Sequence, residues 1–106
     1  MSAFSDVLDC DLHDNGVAVL TLNRVDARNA LSAQLRDDLC NCCAMLSDNN
    51  SIDSVVLTGA GEMFCAGFDL RELAAGNAEQ IFADAQAYHR IIYTFKKPLV
   101  AAINGP

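Results

Sequence analysis

Apolar and polar residues alternate at the start of the chain and then shift to a rhythm of threes and fours, and this change of period lays out the elements. Val7-Leu8-Asp9-Cys10-Asp11-Leu12 and Val17-Ala18-Val19-Leu20-Thr21-Leu22 predict two strands. They are joined across His13-Asp14-Asn15-Gly16, where Asn-Gly signals a β-hairpin. Residues 23–29 are polar and read as a loop. Ser32 is placed to cap a helix reaching about Ser47, with Leu35, Leu39, Cys42 and Leu46 on its inner stripe and Asp37 and Asp38 near its positive end. Val55-Val56-Leu57 forms the centre of a strand over residues 54–58, closed by Thr58-Gly59-Ala60-Gly61. Asp69 with Glu72 predicts a capping box for a short helix, and Asn77 with Gln80 a cap for a long one whose inner face is Ile81, Ala85, Tyr88 and Ile92. Lys96 and Lys97 complement the C-terminal end of that helix, and Pro98 bars its continuation. Residues 99–103 then form an apolar run typical of a strand covered on both faces. Strands alternating with helices imply right-handed crossovers and an α/β fold. We read no internal repeat, low-complexity tract or interdomain linker.

Composition narrows the class. With 106 residues, 52% of them hydrophobic, the chain has apolar material for one small core and is one domain or part of one. Seven basic against 14 acidic residues give a net charge of -7 with no basic cluster, which argues against nucleic acid as a partner. No apolar run is long enough to cross a bilayer, and the first residues lack the basic and apolar regions of a signal peptide, so the expectation is a soluble, cytoplasmic protein without a membrane partner. Five cysteines, Cys10, Cys40, Cys42, Cys43 and Cys65, are an odd number without CxxC spacing. They read as reduced thiols, and those on the helix stripe as small buried hydrophobes rather than metal ligands.

Several motifs are weighed and set aside. Gly59-Ala60-Gly61 after a strand resembles part of a dinucleotide loop, but Phe64 stands where the third glycine belongs and Glu79 opens a helix instead of ending a strand, so a flexible turn is the plainer reading. No Walker A sequence, GxSxG elbow or HExxH pair is present. Asp6, Asp9, Asp11, His13 and Asp14 alternate across faces and read as a solvated edge with no metal. His89 lies next to Tyr88 and Arg90 with no Ser or Cys that the sequence places near it, which leaves it little claim as a general base.

The turn Cys65-Ala66-Gly67-Phe68-Asp69-Leu70 differs, because it follows a strand and starts a helix. A backbone N–H presented there, with glycine at 67 letting a ligand approach, can hold a carbonyl oxygen that becomes negative in a transition state. By itself the turn reads first as a capped helix start.

Its surroundings add a resemblance. Leu20-Thr21-Leu22-Asn23-Arg24, Arg28-Asn29-Ala30-Leu31-Ser32, Val55-Val56-Leu57-Thr58-Gly59, Phe64-Cys65-Ala66-Gly67-Phe68-Asp69-Leu70 and Lys97-Pro98-Leu99-Val100-Ala101-Ala102-Ile103-Asn104-Gly105-Pro106 occur in an order and spacing that resemble the N-terminal part of the enoyl-CoA hydratase/isomerase (crotonase) family. The resemblance implies a truncated ββα spiral, residues 1–106 being the N-terminal portion of one crotonase-like domain. It implies a site for acyl-coenzyme A thioesters in which two backbone N–H groups stabilise the thioester enolate, with coenzyme A entering as part of the substrate and no other cofactor or metal. Phe68 matches the first oxyanion-hole donor, Ala66, Gly67, Asp69 and Leu70 its flanks, and Ala27, Arg28 and Ala30 the loop that contacts coenzyme A. Val25 stands where the family often has Pro, and Phe68 where it often has a small side chain. In the family the second donor and the catalytic carboxylates match positions beyond Pro106, so the expectation is a chain inactive alone, whose parent assembles as a trimer or a pair of trimers. A non-catalytic coenzyme A binding or interaction fragment is the alternative, and a partner-dependent piece with an exposed apolar edge is a third.

Overall fold

The computed structural model describes residues 3–76 and 78–106. The Asn77 cap lies outside the described residues. Four strands, β1 (Leu8–Leu12), β2 (Val17–Leu22), β3 (Ser54–Gly59) and β4 (Leu99–Ala101), form one sheet in the order β1-β2-β3-β4. The first pair is antiparallel and the other two are parallel. Helix α1 (Ala33–Ser47) connects β2 to β3, and α2 (Leu70–Ala75) with α3 (Ala78–Thr94) connects β3 to β4. The α/β expectation is met, and the hairpin, both long helices and their inner faces fall where the periodicity places them.

The core lies between the sheet and α1. Leu35, Leu39, Cys42, Cys43 and Leu46 of α1 pack on Leu8, Leu20, Leu22 and Val55, all at most 2% exposed. Full burial of each such aliphatic side chain stabilises the fold by about 1.5–3 kcal/mol. Ser32 starts α1 by accepting the Leu35 N–H at 3.1 Å, which satisfies one of the helix's orphan donors. Helix α3 packs against α1 through Tyr88 and Ile92, with Ala85 buried.

The hairpin turns over His13–Gly16 as expected, closed by Gly16 N–H donating to His13 O at 3.1 Å, with Gly16 in a left-handed conformation (φ 87°). The structure corrects four local expectations. Asp9 is not at a solvated edge: it is buried and accepts from Asn23 Nδ2. Asp37 and Asp38 lie beyond the first turn of α1, so the helix supplies no acid of its own to its positive end. Lys97 serves α1 and not α3, its ammonium donating to the Leu46 and Asn49 carbonyls at 2.6 and 2.8 Å. Residues 99–103 are not covered on both faces, because β4 is a three-residue edge strand with Val100 57% and Ile103 71% exposed.

Candidate functional site

Parallel strands β2 and β3 end side by side, Leu22 opposite Gly59, so the segments that leave them run together at one end of the sheet. Polar side chains stitch these two segments into one unit. Asn29, fully buried at φ 55°, accepts the Arg24 N–H through its oxygen and donates its amide hydrogens to the Ala60 and Met63 carbonyls at 3.0 and 2.8 Å. A short polar side chain that tolerates the left-handed region suits this position. Arg28, at φ 57°, gives its carbonyl to the Ala66 N–H. Arg24 donates to the Ala30 carbonyl at 2.6 Å and pairs with Asp69 at 3.1 Å.

Asp69 also accepts the Arg71 and Glu72 N–H groups and so caps α2. The Arg24 guanidinium, aided by those two amides, holds the Asp69 carboxyl below its ordinary value. The capping box is only half made. Glu72 reaches across to accept the Ala33 N–H at 2.8 Å, joining α2 to the start of α1. The Gly59-Ala60-Gly61 turn is also tied down: Asn104 accepts from Gly59 N–H and donates to the Gly59 and Gly61 carbonyls, while the Pro106 carbonyl accepts from Phe64 and Cys65.

An isolated parallel bridge joins Leu31 to Phe68. Leu31 N–H donates to the Gly67 carbonyl at 2.7 Å, and the Leu31 carbonyl accepts the Asp69 N–H at 3.3 Å. In that pattern the residue between the two bonds turns its own N–H to the opposite side. The Phe68 amide meets no acceptor among the described residues. Gly67 has φ 94°, a conformation that L side chains rarely adopt, and a Cβ built there would touch nothing within 4 Å, so the space before the turn is open.

A cleft of about 340 Å³ fronts this turn, lined by Ala27, Arg28, Ala30, Ala66, Phe68, Asp69 and Leu70 together with Arg24, Asp26 and Arg71. Every site residue expected from the sequence borders it except Gly67, which lies between two that do. Sequence reading missed Arg24 and Arg71. No sequence signal marks them: three of the seven basic residues, Arg24, Arg28 and Arg71, come together around one opening only in the fold.

Behind the turn lies a second group the sequence did not predict. The Phe68 ring stands 6.4 Å from the His89 ring and under the Arg36 guanidinium at 5.1 Å, and His89 lies edge-on to Tyr88 at 5.4 Å. Burial pushes the Tyr88 hydroxyl up to about 12 and the Cys43 thiol up to about 11, and it raises Cys10, Cys40 and Cys42 as well. Thiols kept neutral in this way are poor nucleophiles and ligands. Among the described residues, no group of three or more His, Cys, Asp or Glu side chains is placed to hold a metal ion, and no helix is long and apolar enough to cross a membrane.

Residues 13–106 match the family model for enoyl-CoA hydratase/isomerase. The chain is 39% identical to 4-chlorobenzoyl coenzyme A dehalogenase-2 of Arthrobacter sp, a match covering 100% of this chain and 41% of the relative. It is 41% identical to 2,3-dehydroadipyl-CoA hydratase of Escherichia coli K12, over 84% of this chain and 35% of that protein. The crystal structure of an enoyl-CoA hydratase from Bacillus anthracis superposes with a TM-score of 0.86 at 34% identity, covering 94% of this chain and 40% of that one. The chain thus spans about two fifths of the length of the relatives it matches. The family model covers most of the chain and its fold superposes on a solved member, and the chain belongs to the enoyl-CoA hydratase/isomerase family.

Proposed function

We propose that this chain forms the thioester-binding part of an acyl-coenzyme A site, in which the Phe68 N–H is the first donor of an oxyanion hole. The observation that carries this reading is the unpartnered Phe68 amide beside an open cleft rimmed by Arg24, Arg28 and Arg71. An amide held by its neighbours and free of an internal acceptor needs no reorganisation when charge develops on a thioester oxygen, and one such donor is worth roughly 3–4 kcal/mol in the transition state. Helix α2 has only six residues, so the donor rests on the amide itself more than on a helix dipole. Arg24 is committed to Asp69, which leaves Arg28 and Arg71 to meet the phosphates of coenzyme A. Ala27, Ala30, Ala66 and Leu70 supply the small and apolar walls, and coenzyme A enters as substrate with no further cofactor.

Hydration needs a carboxylate to activate water and an acid to protonate carbon. Asp69 is occupied by Arg24 and the start of α2. The proposal therefore assigns acid–base work, and the second donor, to groups beyond those of this chain. Assembly as a trimer or a pair of trimers, and action in the cytoplasm, where five unpaired thiols stay reduced, complete the reading. A second reading, an aromatic acyl group, is favoured by the Phe68 side chain at the cleft and by the likeness to a chlorobenzoyl-CoA dehalogenase.

Calorimetric titration with coenzyme A, crotonyl-CoA and benzoyl-CoA tests both. We expect binding that weakens with salt, as phosphate contacts do, and tighter benzoyl-CoA if the aromatic reading holds. Failure of all three ligands to bind would overturn the proposal. Binding of coenzyme A and its thioesters with equal affinity would favour a coenzyme-binding module without chemistry.

A further inference from the structure

Arg36 is a charged residue buried in the core. It lies on the inner face of α1, only 4% exposed, and no carboxylate pairs with it among the described residues. Burying a guanidinium without a counter-ion costs free energy, and here the Nε is left with no hydrogen-bond partner as well. Two contacts offset that cost. Nη1 donates to the Leu31 carbonyl at 2.7 Å, and the guanidinium carbon stands 5.1 Å from the centre of the Phe68 ring, within the range of a cation–π contact.

Both contacts end at the same place. The Leu31 carbonyl that accepts from Arg36 also accepts the Asp69 N–H, and the Leu31 N–H donates to the Gly67 carbonyl, so Leu31 grips the turn on either side of Phe68. Arg36 thus secures the backbone that aims the Phe68 amide and, separately, the ring of the same residue. A leucine or methionine would fill the α1 stripe at lower cost but could do neither.

We propose that Arg36 is a positioning residue for the oxyanion donor: it fixes the direction of the Phe68 N–H through Leu31 and the Phe68 ring, and its buried charge adds to the positive potential that a thioester oxygen meets there. This rests on the reading of Phe68 given above. It predicts that Arg36 acts on the polarisation of a bound thioester more than on affinity, because no cleft-lining contact is lost when it is replaced.

The test is isotope-edited infrared spectroscopy of crotonyl-CoA carrying a 13C thioester carbonyl. Bound to the unaltered protein, the carbonyl stretch is expected to move to lower frequency than in the free ligand. In Arg36→Met the displacement is expected to fall by half or more while Kd changes less than threefold, and Arg36→Lys, which keeps the charge, is expected to recover part of it. Phe68→Leu keeps the backbone donor and removes the ring, and an intermediate displacement is expected. That variant leaves α1 untouched, so it stands as a test even if the Arg36 variants do not fold. A full displacement in folded Arg36→Met, or in Phe68→Leu, would overturn this inference and leave the thioester reading intact. Bound ligand with no displacement in the unaltered protein, or no binding at all, would overturn that reading and this inference with it.

Discussion

The segments leaving β2 and β3 are neighbours with opposite economies of hydrogen bonding. Residues 23–32 spend side chains: Arg24, Asn29 and Ser32 each bond to main-chain groups. Residues 60–69 supply mostly main chain, and their carbonyls and amides are taken up by Asn29, Arg28, Leu31, Asn104 and Pro106. One loop is a clamp and the other is what it holds. The contrast teaches why the amide at 68 can stay unpaired: fixation from outside holds the turn on either side of it.

Breaking the clamp at its centre is the most severe challenge. Asn29→Ala removes three hydrogen bonds at a fully buried, left-handed position, and we expect a loss of about 3 kcal/mol in a urea titration, with coenzyme A binding lost in parallel. Arg24→Met cuts one strand of the clamp, and about 1–2 kcal/mol is the expected cost. It also carries a pH signature. Because Asp69 is held below its ordinary 3.8, its contribution is complete above that pH and is lost as the pH falls through the lower folded value. Stability measured from pH 7 down to 2 should therefore drop less steeply in Arg24→Met than in the unaltered protein. Gly67→Ala sharpens the comparison from the held side. The Cβ position is open, so the strain of φ 94° is the only penalty, about 1 kcal/mol in a thermal melt, yet the change falls one residue before the proposed donor and should weaken acyl-CoA binding more than it lowers stability.

Much of this was legible from the chain. The stripe Leu35, Leu39, Cys42, Leu46 named the inner face of α1 because burial follows period there, and the turn at 65–70 was found because strand, glycine and cap occur in sequence. What escaped depends on contacts across the fold. Glu72 looked like a local partner for its own helix and instead serves Ala33; Lys97 looked like the end of α3 and instead closes α1. Arg36 was hidden by its own polarity, since a charged residue one step from Leu35 reads as solvent-facing until Phe68 is folded over it. The cleft residues Arg24 and Arg71 were missed because Asn23-Arg24 reads as a motif boundary and Arg71 as a helix surface.

The bonds from Asn104 and Pro106 to residues 59–65 have a consequence for biosynthesis. During translation residues 59–65 leave the ribosome well before Asn104 and Pro106, so the segment that leads into the turn is made before the groups that bond to it. A ribosome stalled between β3 and β4 would display that segment unlatched, and the latch would close only once residues 104–106 have emerged.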